Sequence, residues 1–204
     1  MTSERKLYYV HDPMCSWCWA FHPVWAEVVK QLPRSIMVHN LLGGLAVDSD
    51  EPMPLEMQKQ IRGFWQIIEQ RVPGTQFNYD FWENCSPRRS TWPACRAVIA
   101  ARNQGAEFEE PMILAVQRAY YLQAQNPSDD SVLTVLAESL GMDRTLFKAG
   151  LNSAETHQQL ASEMQLSQRM GARGFPSLIL LEKGQPLVIN IDYNDPPSIL
   201  EQLL

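Results

Sequence analysis

Cys15 and Cys18, three positions apart, are the residues of this sequence best suited to chemistry. A β-favouring run precedes them and ends at the breaker pair Asp12-Pro13, and a run with helical spacing follows them. The pattern therefore predicts a strand-to-helix turn with Cys15 at the first helical turn. Unpaired backbone N–H groups and the positive end of the helix dipole favour thiolate over thiol there. Cysteines in such motifs titrate at about 3.5 to 7.5 instead of about 8.5.

The two sulfurs have different expected roles. Cys15 lies at the exposed end of the predicted helix, so we expect it to be the attacking nucleophile. Cys18 lies one turn inward on the same face, near enough to form a disulfide and better buried, so we expect it to be the resolving thiol. The alternative is a pair of inert core cysteines. The spacing and the strand–turn–helix context favour redox chemistry over that alternative.

The composition is that of a globular protein of 204 residues with a formal net charge of −6. The acidic balance argues against nucleic acid or an anionic membrane as the main partner. No apolar run approaches the roughly 20 residues of a transmembrane helix. Residues 1–6 contain no apolar signal core, so with Met1 as the native start we expect a cytoplasmic protein.

Two further cysteines, Cys85 and Cys95, stand ten positions apart in another region. We interpret them as structural thiols, with Cys95 on a helix and Cys85 in the loop before it. A second redox pair and a four-thiolate zinc site are the alternatives. Structural zinc uses closely spaced pairs, and this spacing is not of that kind, so we predict no metal.

The pattern of apolar residues predicts strands at both ends of the chain and helices between them. The N-terminal part is a βαβ unit, which implies parallel strands, and the C-terminal part is a β-hairpin followed by a helix. Apart from the helix after Cys15, the predicted strands are residues 6–10, 36–42, 178–181 and 186–191, and the predicted helices are 55–71, 94–103, 107–125, 131–140, 144–149, 153–170 and 198–204.

The two ends complement each other as halves of a four-stranded mixed sheet. We therefore predict a discontinuous domain of residues 1–50 and 151–204 with an all-helical insertion of residues 51–150. Within the insertion, Ser90-Thr91 reads as a helix N-cap, and the aromatic stretch 77–82 is assigned to the core.

This order of elements, with Cys15-Ser16-Trp17-Cys18 at the turn and Gly174-Phe175-Pro176-Ser177 before the third strand, resembles the thioredoxin fold. The long helical insertion is similar to that of DsbA-like proteins. Residues 12–19 and 171–177 resemble the FrnE-like, cytoplasmic branch of that family.

The resemblance implies roles for particular residues. Cys15 would be the nucleophile, Cys18 the resolving thiol and Pro176 a cis-proline facing the disulfide. Phe175, Gly174 and Trp17 would contribute to substrate binding, with Trp19 and Phe21 as further candidates for an apolar rim. Ser16-Trp17 contains no histidine, so an adjacent imidazolium that stabilises the thiolate is not encoded there.

We predict a cytoplasmic thiol–disulfide oxidoreductase of the protein disulfide reductase or isomerase type. It would act on disulfide-containing proteins or small thiols, without a bound cofactor and with glutathione as a candidate thiol partner. One alternative is a glutathione-dependent isomerase of the 2-hydroxychromene-2-carboxylate isomerase type, a class that shares the architecture but carries serine at the first cysteine. Another is a metal-binding or redox-sensing protein. The sequence leaves the oligomeric state open.

Overall fold

The computed structural model describes residues 5–204; residues 1–4, the start of the N-terminal segment considered above, lie outside the described residues. The strands are β1 (Arg5–His11), β2 (Ile36–Leu42), β3 (Ser177–Glu182) and β4 (Gln185–Ile189). The helices are α1 (Ser16–Gln31), α2 (Leu55–Arg71), α3 (Phe81–Asn84), α4 (Trp92–Gln104), α5 (Glu109–Tyr121), α6 (Asp130–Ser139), α7 (Arg144–Leu151), α8 (Ala154–Arg169) and α9 (Pro196–Leu203).

The strands form one mixed sheet in the order β2-β1-β3-β4, as predicted. β1 pairs with β2 in parallel and with β3 in antiparallel orientation, and β3 and β4 form the antiparallel hairpin. Lys183 and Gly184 both have positive φ in the hairpin turn, as a two-residue turn with the twist of the strands requires. Helices α1 and α9 bury apolar side chains against the sheet. The thioredoxin fold with a DsbA-like helical insertion is therefore confirmed.

The insertion has its own aromatic core. Trp65 of α2 is fully buried and stacks on Phe77 with ring centroids 4.8 Å apart. Phe81 is also buried, which confirms that the aromatic stretch belongs mainly to the core. The sequence analysis predicted no helix here, whereas the end of the stretch begins the short helix α3.

Helix α5 is shorter than the predicted span of residues 107–125. It begins after a single 3₁₀ turn at Ala106–Phe108. At its other end the N–H groups of Leu122 and Gln123 both donate to the carbonyl of Arg118, and Ala124 takes a positive φ of 50°. The chain therefore leaves the helical path several residues before the breaker at Asn126-Pro127.

One carboxylate ties the insertion to the sheet. Glu163 of α8 accepts a hydrogen bond of 2.8 Å from the N–H of Leu42, the last residue of β2. The same carboxylate pairs with Arg102 of α4, which also pairs with Glu109 of α5 at 2.8 Å. The end of β2 is thus held to two insertion helices. The division into two domains stays a prediction.

Candidate active site

The turn between β1 and α1 is held by one residue, Asp12. Its carbonyl accepts from the N–H of Cys15 at 3.0 Å, and its side-chain Oδ1 accepts from the N–H of Met14 at 2.8 Å. Cys15 is the N-cap of α1, and its own carbonyl accepts from Trp19 in the first helical bond at 3.1 Å. The predicted strand-to-helix placement of the cysteine pair is confirmed.

Cys15 is less exposed than the sequence analysis expected. Only 7% of its surface is accessible, because the loop carrying Phe175 lies against it, with the Phe175 carbonyl oxygen 3.5 Å from Sγ. Cys18 is fully buried. Cys15 nevertheless lines an open cavity of about 510 Å³, and Cys18 does not.

The two thiols are tuned in opposite directions. The pKa of Cys15 lies below its ordinary value, first because the Cys18 thiol donates to its sulfur and then because the N–H groups of Cys18 and Trp17 donate to it. Burial raises the pKa of Cys18 well above its usual range. Of the two thiols, Cys15 is therefore the one that ionises first, while Cys18 retains its proton.

Asp12 is a buried carboxylate among donors and was missed as a site residue. Its Oδ2 accepts from the N–H of Leu45 at 2.7 Å, from the Thr91 hydroxyl at 2.6 Å and from the Cys95 thiol at 3.4 Å. Burial raises its pKa, and these hydrogen bonds oppose the rise. The charge of Asp12 raises the pKa of both Cys15 and Cys18. It therefore moderates the reactivity that the helix N-terminus confers.

The predicted N-cap at Ser90-Thr91 needs correction. Thr91 occupies the capping position of α4, but its hydroxyl makes no capping bond. The hydroxyl instead donates to Asp12 and accepts from the N–H of Ala46 at 3.0 Å. The Thr91 hydroxyl thus binds the carboxylate of Asp12, which is distant in sequence, instead of a backbone N–H group in the first turn of α4. Cys95 does lie on α4, and Cys85 lies in the loop before it, as predicted.

Neither histidine near the pair supplies positive charge to the thiolate. His11 is fully buried and stacks on Tyr9 with centroids 4.7 Å apart, and its ring nitrogens have no hydrogen-bond partner among residues 5–204. Burial lowers its pKa to about 3, so the ring is neutral. His22 stacks on Trp19, and burial and the nearby Arg118 lower its pKa.

The loop before β3 brings its peptide groups to Cys15. The Phe175–Pro176 bond is cis, as the resemblance implied. The Phe175 ring lies directly over Gly43, where an added Cβ would stand 1.9 Å from a ring carbon. The Phe175 ring can therefore occupy this position only because residue 43 has no side chain. The sequence analysis did not identify Gly43 as a site residue. Pro176 lines a neighbouring groove and not the Cys15 cavity, whereas Gly174 lines both.

Two walls enclose the cavity, each built from several segments of the chain. The first wall comprises the β1–α1 turn with the start of α1, the residues after β2, the end of α8 and the loop before β3. The second wall comprises α2, α5 and the loop before α4. Trp17 lies in the first wall, as implied, and packs edge-on against Tyr193. Trp19 does not line the cavity, since its Nε1 donates to the carbonyl of Gln76 at 3.1 Å. Phe21 is fully buried in the sheet-side core.

The fold, the cysteine turn and the cis-proline loop agree with one family. The model of the DSBA-like thioredoxin domain matches residues 7–203. The chain belongs to the DSBA-like thioredoxin family. Proteins of the DSBA-like family are generally disulfide oxidoreductases acting on thiols or disulfides. The finer likeness to the FrnE-like branch stays an expectation.

Several solved structures are similar to this DSBA-like chain. A crystal structure of a proposed protein disulfide isomerase from Nitrosomonas europaea is 28% identical, with a TM-score of 0.85 and coverage of 98% of this chain and 96% of that one. The cytosolic disulfide reductase DsbM from Pseudomonas aeruginosa is 24% identical, with a TM-score of 0.75 and coverage of 91% and 89%. DsbM has also been solved with GSH, and that structure has a TM-score of 0.72.

The curated relatives that match this chain are named as adapter proteins. The ClpXP adapter protein SpxH of Halalkalibacterium halodurans is 22% identical over 98% of this chain, and that of Bacillus subtilis is 26% identical over 85%. The chain spans 67% and 57% of the length of these two relatives. No helix among residues 5–204 is long and apolar enough to cross a membrane. The same residues contain no cluster of three or more histidine, cysteine or acidic side chains suited to a metal ion.

Proposed function

We propose that this DSBA-like protein is a thiol–disulfide oxidoreductase of the reductase or isomerase type, with Cys15 as nucleophile and Cys18 as resolving thiol. The observation that carries the proposal is the arrangement of the two sulfurs. Cys15 caps a helix, has a lowered pKa and lines an open cavity, while Cys18 is sealed beneath it and holds the proton.

The chemistry balances in two exchanges. The Cys15 thiolate attacks one sulfur of a substrate disulfide, which forms a mixed disulfide and releases the other sulfur as a thiolate. The proton of Cys18 passes to the substrate thiolate released in the first exchange. Cys18 then attacks the Cys15 sulfur, which releases the second substrate thiolate and leaves a Cys15–Cys18 disulfide. The substrate gains two electrons and the enzyme loses two. If the substrate retains several cysteines, reversal of the first exchange at another sulfur gives isomerisation.

The oxidised pair needs a thiol that returns it to the dithiol form. Glutathione is the candidate, since two molecules supply the two electrons and leave as one disulfide. We propose a cytoplasmic setting, where such a thiol pool is present and net reduction is favoured over oxidation. The likeness to a cytosolic disulfide reductase solved with GSH is compatible with this setting and this reductant. The substrates would be disulfide-containing proteins or small disulfides.

The test uses Cys15→Ser and Cys18→Ser in an insulin-reduction assay with dithiothreitol, and also with reduced glutathione and glutathione reductase. Cys15→Ser should abolish turnover because the attacking thiolate is gone. Cys18→Ser should form the first mixed disulfide and then stall, so mass spectrometry should find substrate attached to Cys15. Unchanged turnover in Cys15→Ser would refute the proposal.

Cys85→Ser is the matched control, because Cys85 is half-buried and its Sγ donates to the Ala124 carbonyl outside the cavity. It should retain full activity. The assay also separates the isomerase of a small organic molecule considered above from a dithiol enzyme. Such an isomerase would tolerate Cys18→Ser without trapping a mixed disulfide.

A further inference from the structure

Apart from the reactive sulfur of Cys15, the charged side chains that line the Cys15 cavity are all positive. Arg89, in the loop before α4, and Arg173, in the loop before β3, both contribute to its wall, and the lining contains no aspartate or glutamate. The chain as a whole carries 23 acidic against 17 basic residues. A cavity lined by two guanidinium groups and no carboxylate is therefore opposite in charge balance to the protein around it.

Both guanidinium groups lack a partner within residues 5–204, where neither makes a hydrogen bond or an ion pair. In this part of the chain six of the twelve arginines pair with a carboxylate, including the buried Arg96, which binds Asp48 at 2.8 Å. Arg89 and Arg173 differ from the other unpaired arginines because they line the cavity of the reactive cysteine. Arg89 is half-buried, so part of its hydration is already removed without a compensating carboxylate. A half-buried guanidinium group without a partner can bind an anion from solution through charge-assisted hydrogen bonds.

The arginines are not explained by the thiolate itself. The largest influences on the pKa of Cys15 are Cys18, burial and the charge of Asp12, and neither arginine is among them. We therefore expect the two arginines to bind an anionic group of the ligand other than its reacting sulfur.

The rest of the lining indicates the shape of that ligand. Leu45, Ile61 and Phe64 present apolar surface near the arginines, and Phe64 is 41% exposed. A cavity of about 510 Å³ holds a molecule of a few residues and not a folded protein. This combination of arginines and apolar side chains fits a ligand that has a short uncharged middle and a carboxylate at each end.

We propose that Arg89 and Arg173 make the Cys15 cavity selective for small disulfides and thiols that carry carboxylates, of the size of a short peptide. The proposal rests on the proposed function, since it names the substrate class of the same site. The guanidinium groups bind the carboxylates, and this binding places the substrate sulfur beside Cys15.

The experiment follows single-turnover oxidation of the reduced protein by three disulfides of different charge: oxidised glutathione, which is anionic, hydroxyethyl disulfide, which is neutral, and cystamine, which is cationic. The rate of thiol loss is measured for the native chain, Arg89→Ala, Arg173→Ala and Arg89→Lys. Arg34→Ala is the matched control, because Arg34 is exposed, lies outside the cavity and changes the net charge by the same amount.

For the native chain the rate constants should fall in the order anionic, neutral, cationic. Each alanine variant should lower the rate with oxidised glutathione about tenfold, as expected for loss of a charge-assisted hydrogen bond, and the neutral rate should stay within about twofold. Arg89→Lys should recover part of the loss, 0.5 M salt should reduce the preference, and Arg34→Ala should match the native chain. If Arg89→Ala impairs folding, Arg173→Ala decides alone, since Arg173 is exposed on a loop.

Three outcomes overturn the inference: equal native rates for the three disulfides, equal losses on all three in the alanine variants, or a loss in Arg34→Ala as large as that in Arg89→Ala. Failure of the proposed function is distinct, because none of the three disulfides would then oxidise the Cys15–Cys18 pair.

Discussion

The two walls of the Cys15 cavity are built differently. In the wall formed by the thioredoxin-like part, backbone N–H groups, the loop with the cis-proline and the buried carboxylate of Asp12 act on the sulfurs. In the insertion wall, Trp65 belongs to a packed aromatic core, and Arg89 also lines the cavity. We expect the first wall to set the reactivity of the sulfur, and Arg89 of the second wall, together with Arg173 of the first, to select what approaches it.

The two walls meet at Asp12. Its carboxylate accepts from the turn before Cys15 and also from Thr91 and Cys95 of the insertion. The two walls are therefore not independent at Asp12. Substitutions on each side of Asp12 test how far the division between them holds.

The largest effect is expected from Trp65→Ala in the insertion wall. Removing a fully buried indole at the centre of the aromatic core should lower the free energy of unfolding by about 3–5 kcal/mol. The pKa of Cys15, measured by thiolate absorbance, should not change. Phe64→Ala, on the exposed side of α2, is the control and should cost far less in urea unfolding. A shift in the pKa of Cys15 in Trp65→Ala would break the division.

The next effect concerns His11 and depends on pH. Its folded-state pKa of about 3 lies below the unfolded value of about 6.5, so the unfolded chain binds more protons between these values. The stability tied to neutral His11 is present above pH 6.5 and is lost as the pH falls towards 3. We expect the native chain to lose about 2 kcal/mol more than His11→Leu between pH 7 and pH 5. Parallel stability curves for the two proteins would contradict this.

A smaller effect is expected from Gly43→Ala. The new methyl group would overlap the Phe175 ring, which must turn away and shift the loop whose carbonyl contacts Cys15. We expect kcat/KM for a disulfide to fall about tenfold with little change in stability. Gly63→Ala is the control, because a Cβ at that helical position meets open space. An unaltered kcat/KM in Gly43→Ala would show that the position of the Phe175 ring does not affect the reaction.

The smallest effect is expected from Asp12→Asn. Removing the negative charge should lower the pKa of Cys15, since that charge raises it in the native protein. The rate of iodoacetamide alkylation should therefore reach its plateau at lower pH. Asp50→Asn, at an exposed position, serves as the control. An unchanged or raised pKa in Asp12→Asn would mean that the hydrogen bonds, and not the charge, govern the sulfur.

Local signals allowed much of the fold to be predicted. The strand Ile36–Leu42 and the helix Leu55–Arg71 have the predicted bounds, because apolar periodicity and flanking breakers mark both. Asp143 and Ser153 cap α7 and α8, and their side chains accept from the N–H groups of Leu146 and Thr156. These are interactions between residues three positions apart, which a sequence shows directly.

The parts of the site that were missed depend on distant residues. Thr91 meets Asp12 across 79 positions, and the Phe175 ring rests on Gly43 from 132 positions away. A hydroxyl beside a helix start favours a cap until a stronger acceptor approaches. The burial of Cys15 likewise comes from the Phe175 loop and not from its own helix.

The hold of Glu163 on both Leu42 and Arg102 bears on protein engineering. A helical insertion taken from one such scaffold would carry Arg102 and Glu109 into a recipient but leave Glu163, the second carboxylate partner of Arg102, behind. Grafts that exchange substrate preference between homologues should therefore extend from β2 through α8, so that Arg102, Glu163 and the N–H group of Leu42 are transferred together.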